Sequence, residues 1–353
     1  MPSDLLNKYH SYNKRKFLFG IFSLIILLIL FFLSIGIGPV NITAKKIISI
    51  LLGNDSSFHY SIIWNIRLPR TLTAIVAGMG LAVAGATMQS VLRNPLGSPF
   101  TLGISHAAAF GAAFSIIILG AGSLQSSGNK AVIINNPYIT TFSAFIWALI
   151  SALIILFLAK YKKATPETMV LSGVAIGSLF TAATTALQYF ATDVELASLV
   201  FWTFGDVGRT TWSNLLIISL VVFTAAVYII FNSWNYNALD SGEETAKSLG
   251  VDVEKIRTRS LLISSLVTAI IVSFVGIIGF VGLVVPHIVR KIIGGNERFL
   301  LPFSCLAGAV LLLLSDVAAR NIMAPVVLPV GILTSFLGAP LFIYLVIKGR
   351  EYW

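Results

Sequence analysis

Long stretches of this chain carry no formal charge. Asp, Glu, Lys and Arg are all absent over 71–92, 94–129, 131–159, 168–192, 210–239, 260–289 and 321–347. A helix needs about 20 apolar residues to cross a hydrocarbon core, and each of these runs is long enough. With 57% hydrophobic and 11% charged residues among 353, too few polar side chains remain to cover a soluble domain. The pattern predicts an all-α polytopic membrane protein forming a single transmembrane domain over 1–353. The net charge of +10 does not point to nucleic acid, because the basic residues sit between apolar runs, as orientation signals do. Cys305 is the single cysteine, which excludes an intramolecular disulfide.

Lys14, Arg15 and Lys16 end a basic tail (1–16) and precede an uncharged run from Phe17 to Pro39. That run is long for a signal-peptide core and lacks a clear small-residue cleavage site, so it reads as a retained first span, Phe17 to Ile37. From Thr43 to Gly53, Ala44, Ile47, Ile48 and Leu51 oppose Lys45 and Lys46, the pattern of an amphipathic surface helix. Arg67-Leu68-Pro69-Arg70 opens a second span rich in small residues, with Gly78, Gly80, Ala82, Ala84, Gly85 and Ala86 allowing close helix approach. It ends in a turn at Arg93 to Pro99. Further spans are expected at 102–120, 139–159, 168–190 and 215–231, with a polar loop up to Asn136 after the third and a stop at Lys160, Lys162 and Lys163 after the fourth. Leu196 to Phe204 is too short to cross and reads as a re-entrant or surface helix. Ser260 to Ile293 is long for one span and short for two, interrupted by Gly276, Gly279, Gly282 and Pro286. The last spans are Leu301 to Ala319 and Val330 to Ile347. On a ten-span count with both termini cytoplasmic, 17 of the 24 Lys and Arg residues fall inside and 7 outside, as the positive-inside bias requires.

One stretch breaks the apolar pattern. Nine charged residues fall between Asp240 and Arg259, within ALDSGEETAKSLGVDVEKIRTR (238–259). Ser241 with Glu244 has capping-box spacing, Gly250 is a natural stop, and Asp252 can cap a second short helix. Ala246, Leu249 and Val253 leave a modest apolar surface. The stretch reads either as a solvated loop or as a docking knob for a soluble partner.

Four further stretches carry a resemblance. They are RLPRTLTAIVAGMGLAVAGATMQSVLRNPLGSPFTLGIS from Arg67, LGVDVEKIR from Leu249, GIIGFVGLVVPHIVRKIIGGNERFLLP from Gly276 and LPVGILTSFLGAPLFIYLV from Leu328. In this order and spacing the chain resembles the permease subunits of ATP-binding-cassette importers for iron–siderophore complexes, haem and cobalamin. The resemblance implies a type II importer permease fold with ten transmembrane helices per subunit, a homodimer with the pathway at its interface, and spans five and ten lining it. It implies two cytoplasmic ATP-binding subunits that use ATP and Mg, and a solute-binding protein outside the cytoplasmic membrane of a prokaryote. Matching positions for ATPase coupling are Asp240, Glu243, Glu244, Lys247, Leu249, Gly250, Val253 and Arg257. Matching positions for binding-protein docking are Arg67, Arg70 and Arg320. Iron–siderophore is the leading cargo, with cobalamin and haem behind. Many family members carry a glutamate where this chain has Val327.

The residues themselves agree with a need for a separate ATPase. No Gly is followed directly by Lys, so no Walker loop exists to cradle phosphates. No catalytic constellation, bound cofactor or metal-ligand spacing is expected in the chain. Asp316 and Arg320 are spaced for an i,i+4 pair. His287 reads as a packing residue, and His106 and Gln89 either bond between helices or line a pathway. Glycines 276, 279 and 282 mark backbone contact or strain relief. An ion-gradient-driven transporter is the alternative function.

Overall fold

The computed structural model describes residues 3–38, 42–53, 58–121, 136–161 and 165–348. The polar loop expected before Asn136, and Lys130, Lys162, Lys163 and Arg350, lie outside them. Among the described residues the chain is helical, and its only extended pairing is one isolated bridge between Phe204 and Ile277.

In chain order the helices are α1 (Ser3–Gly36), α2 (Ala44–Leu51), α3 (Phe58–Ile62), α4 (Leu68–Val91), α5 (Ile104–Ala113), α6 (Pro137–Tyr161), α7 (Pro166–Phe190) and α8 (Asp193–Thr203). They continue with α9 (Trp212–Phe231), α10 (Ser233–Asp240), α11 (Glu243–Ser248), α12 (Val253–Val275), α13 (Val281–Ile293), α14 (Glu297–Asn321) and α15 (Val330–Lys348). Seven helical runs among the described residues are long and apolar enough to cross a membrane: Lys14–Gly36, Phe58–Val91, Pro137–Leu158, Pro166–Phe190, Trp212–Phe231, Val253–Val275 and Glu297–Asn321. Ile104–Ile118 and Val330–Tyr344 are shorter apolar helices.

The second span does not begin at Arg67, as the sequence suggests. It starts at Phe58 and passes through a π-helical turn, Ile63–Arg67, into α4. Pro69 explains the turn: it has no N–H to give the carbonyl one turn back, and its ring crowds that carbonyl, so the backbone widens just before it. On α2 the buried face is Ile47 and Ile50, while Ile48 is 48% exposed. The apolar face is therefore rotated from the expected Ala44–Ile48 line, and it packs into a small cluster with Ile35, Ile63 and Leu68.

Helix α4 is the central pole. Twenty of its 24 residues are buried, against four of 25 in α7. Small residues make this possible. A Cβ on Gly85 would stand 1.7 Å from the Gly282 carbonyl oxygen of α13, and one on Gly78 would stand 2.3 Å from that of Gly308 on α14. Main chains touch where side chains would hold them apart.

Ser260–Ile293 divides unequally. Asp252 caps through its carboxylate, accepting from the Lys255 amide at 3.0 Å, but the helix it starts is not a short one. With no breaker until Gly276, α12 runs on for 23 residues. Gly276 stops it at φ +80, and α13 has only 13 residues. The gap holds the chain segment after α8: Asp206 donates its amide to Val275 at 2.8 Å and Gly331 to Gly205 at 3.0 Å. The short helix α8 is closed by a capping box between Thr192 and Glu195 at its start. At its end, Arg209 donates to the carbonyls of Phe201, Trp202 and Phe204.

Candidate functional site

The charged stretch folds as α10, α11 and the first turns of α12, at one end of the bundle. The expected capping box is absent. Ser241 closes α10, donating its hydroxyl to the Asn237 carbonyl at 3.2 Å, and Gly242 at φ +116 starts α11. The reason is that α10 continues α9 without a true break, leaving Ser241 at a helix end rather than a beginning. Gly250 does act as the stop. At φ +83 it donates to the Lys247 carbonyl at 3.0 Å, and the Val251 amide reaches the Ala246 carbonyl at 3.0 Å. This paired closure needs the left-handed conformation glycine adopts readily.

The closure sorts the predicted residues into two sets. Ala246 and Val253 are buried, so the apolar surface assigned to them serves the fold. Leu249 is 67% exposed, beside exposed Glu244, Lys247 and Gly250. Glu243 pairs with Arg257, whose Nε also donates to the Val91 carbonyl at 3.2 Å, fastening α11 to the end of α4. The exposed tip is thus an apolar knob with one acid and one base, on a braced loop.

Beneath it lies a network that sequence reasoning missed. Glu297, the first residue of α14, is fully buried and accepts from Arg290 of α13 at 2.9 Å and from Ser90 of α4 at 2.8 Å. Its amide donates to Asn237 of α10 at 2.8 Å, and Asp240 of α10 stands 3.9 Å from Arg290. Four helices therefore meet on one carboxylate. Burial raises the Asp240 carboxyl to about 6 against the pull of Arg290. Tyr236, buried on the same helix with its hydroxyl 2.9 Å from that of Ser260, is pushed up to about 12 by desolvation. An acid opening a helix reads as a match to the helix dipole, so nothing in the spacing marked Glu297 as a junction.

At the opposite end Arg67, Arg70 and Arg320 do come together, and two of them, Arg70 and Arg320, share Asp316. Arg70 pairs with Asp316 at 2.9 Å and with Asp206 at 3.5 Å; Arg320 pairs with Asp316 at 3.1 Å, the expected i,i+4 contact. Arg320 also donates to the Ser34 carbonyl at 2.9 Å and its hydroxyl at 2.7 Å, while Arg67 donates to the carbonyls of Ile35 and Gly36. Asp316 is fully buried, Arg67 is 5% and Arg320 9% exposed, and Arg70 shows 13% of its side chain. The guanidinium groups tie α1, α4 and α14 together, and Arg70 is the most open of the three.

Gln89 bonds between helices, donating to the Leu283 carbonyl at 3.0 Å. Gly276 and Gly282 make the backbone contacts expected of them, with Trp202 and Leu81, whereas Gly279 has space around it. Asn94 accepts from the Leu96 amide at 2.8 Å within the turn after α4. His287 is half-buried on α13, and His106 borders a cavity between α5 and α7. Among the described residues no three His, Cys, Asp or Glu side chains gather as a metal site.

Residues 26–348 match the model of the FecCD transport family. A protein of Methanocaldococcus jannaschii named as an ABC transporter permease is 53% identical over 345 residues, covering 98% of each chain. The hemin transport system permease protein HmuU of Yersinia pestis is 38% identical over 335 residues, covering 94% of this chain and 95% of that one. Among solved structures, an inward-facing conformation of a metal-chelate type ABC transporter superposes with a TM-score of 0.80 at 31% identity, covering 93% and 98% of the two chains.

Proposed function

The chain belongs to the FecCD transport family, and we propose that it is the translocating subunit of an ATP-driven importer of intact metal chelates. In this reading two copies form a homodimer in a prokaryotic cytoplasmic membrane and pass cargo along their shared interface. Each copy crosses ten times. The seven long apolar runs, the two shorter apolar helices and α13 supply the ten, with both termini and the α10–α11 loop in the cytoplasm. The positive-inside bias supports that orientation. As a permease subunit the chain hydrolyses nothing itself.

The observation that carries the reading is the exposed Leu249–Gly250 tip on a loop braced from four helices, in a chain without a nucleotide-binding loop. A groove on a separate ATPase would receive the tip, and Glu243–Arg257 with the Glu297 network would carry its displacement into α4, α12, α13 and α14. Outside, a solute-binding protein would offer carboxylates to Arg67, Arg70 and Arg320. Asp316 already engages Arg70 and Arg320, so an arriving acid competes with it, and Arg70 is the point of entry. With the family assigned, the ion-gradient alternative is set aside.

Co-purification tests the proposal. The permease expressed with a candidate ATPase and solute-binding protein should hold both in one complex of two permease copies. A permease that stays alone, in lipid as in detergent, would contradict it.

A further inference from the structure

Aromatic rings join three helices at the end of the bundle that carries the Leu249 tip. The Lys16 ammonium of α1 stands 4.1 Å from the centre of the Phe299 ring on α14, and one turn on Phe19 meets Phe303 edge to face at 5.7 Å. The neighbour of Phe299 on α14, Arg298, holds its guanidinium 6.0 Å from the centre of the Trp234 ring on α10. Beneath these contacts the Glu297 amide ties α14 to Asn237 of α10.

Charge and polarity change abruptly across this rim. Lys14, Arg15 and Arg298 are exposed. Directly beside them α1 turns Phe17, Leu18 and Phe22 outward, and Phe231 and Trp234 do the same where α9 passes into α10. Lys16 does not snorkel, which would keep its ammonium in water. It is 7% exposed, so it fastens the first apolar turn of α1 to α14 and holds Lys14 and Arg15 close to Arg298. No Asp or Glu occurs from residue 5 to residue 54 to answer these charges locally. The acids nearest in sequence to Arg298 and Trp234 are Glu297 and Asp240, and both face Arg290 instead. The ring contact of Arg298 is made by the cation's charge and uses up none of its N–H donors.

A phospholipid matches this arrangement part by part. Its acyl chains fit the outward face of α1 and the end of α9, its glycerol region lies at the depth that tryptophan favours, and its phosphate accepts from ammonium and guanidinium groups. A soluble anion would leave the apolar side chains without a partner. A zwitterionic headgroup brings its own ammonium, which the three cations repel, whereas an anionic headgroup does not.

We propose that Lys14, Arg15 and Arg298, with Trp234 as the interfacial wedge, form a binding site for the headgroup of an anionic phospholipid of the inner leaflet. The lipid joins α1, α14 and α10 at the base of the Leu249 loop. The inference rests on the orientation proposed above, and not on the cargo or the second copy.

Full-length permease in nanodiscs of phosphatidylcholine, with and without phosphatidylglycerol, tests the site. Lipid brominated on its chains quenches nearby tryptophan, and subtracting a Trp234→Phe variant in each background isolates the signal of Trp234. At equal content, brominated phosphatidylglycerol should quench Trp234 more strongly than brominated phosphatidylcholine, and added salt should narrow the gap. Lys14→Gln, Arg15→Gln and Arg298→Gln should each lower the preference about fivefold, on the scale of one cation at an anionic surface. Cys305 labelling on heating should stay that of wild type, and Arg298→Lys, which keeps the charge, should retain most of the preference. Equal quenching by the two lipids, or a preference indifferent to salt and to all three substitutions, overturns the site. Loss of ATPase association to the same extent in both lipids would make this rim a protein interface and overturn it too. Orientation is read separately: labelling of Leu249→Cys by an impermeant thiol reagent applied outside intact cells would overturn the inner-leaflet placement, and with it the orientation, whatever the headgroup preference in nanodiscs.

Discussion

Glu297 accepts from Arg290 and Ser90 with no exposed surface of its own, so its removal strands a guanidinium at a helix junction. Breaking a buried ion pair by deleting one partner costs about 3–5 kcal/mol. Arg290 keeps 20% of its side chain exposed and Asp240 nearby, which places Glu297→Ala near the low end of that range. Cys305 gives a direct readout, being the single cysteine and 6% exposed. Its labelling by a thiol reagent on heating should begin at lower temperature in Glu297→Ala, and Glu297→Ala/Arg290→Met should recover part of the loss. Equal onset in wild type and Glu297→Ala would show that the junction holds nothing. Asp240 adds a pH signature. Its folded value of about 6 lies above the ordinary 3.8, so between these the folded chain binds more protons than the unfolded one. This group's contribution to stability therefore rises as pH falls through about 6 and levels off below 3.8. Asp240→Asn should flatten that part of the profile, measured by the same labelling; an unchanged profile would remove Asp240 as its source.

Helix α4 depends on glycine where it meets α13 and α14. A methyl at Gly85 collides with the Gly282 carbonyl, and neither main chain can yield without moving a helix. Gly85→Ala should destabilise the fold by at least the roughly 1–3 kcal/mol typical of overpacking. Gly279→Ala, whose nearest neighbour would be the Ser335 hydroxyl at 3.6 Å, should be tolerated. Similar melting of the two variants in detergent would contradict the account of α4 as a close-packed pole. The stripe of small residues on α4 was legible because close approach leaves a local signature. So were the long spans, the Asp316–Arg320 pair and the Gly250 stop. Ser241 was misread because capping patterns do not say on which side of a serine the helix lies. The junction at Glu297 was invisible because Ser90 and Glu297 stand 207 residues apart, and no spacing rule reaches that far. The three arginines were identified individually, but the meeting of Arg70 and Arg320 on Asp316, and of Arg67 and Arg320 on α1, depends on how α1, α4 and α14 pack.

At the scale of the whole molecule the two polar ends differ in build. One end locks Arg67, Arg70 and Arg320 against Asp316 and α1; the other holds out Leu249 on a loop fastened to α4, α12, α13 and α14. Between them the Pro166–Phe190 helix buries only four of its 25 residues. The claim on which this picture turns is that the loop transmits ATP hydrolysis to the spans. Burying Leu249 in a partner groove is worth about 1.5–3 kcal/mol, so Leu249→Asp should weaken ATPase association by at least tenfold. The direct measurement is ATP hydrolysis by the reconstituted complex, with and without cargo-loaded binding protein. Wild type should be stimulated, and the Leu249→Asp complex, assembled at saturating ATPase, should lose the stimulation while its Cys305 labelling on heating remains that of wild type. Full stimulation in that variant would contradict the account.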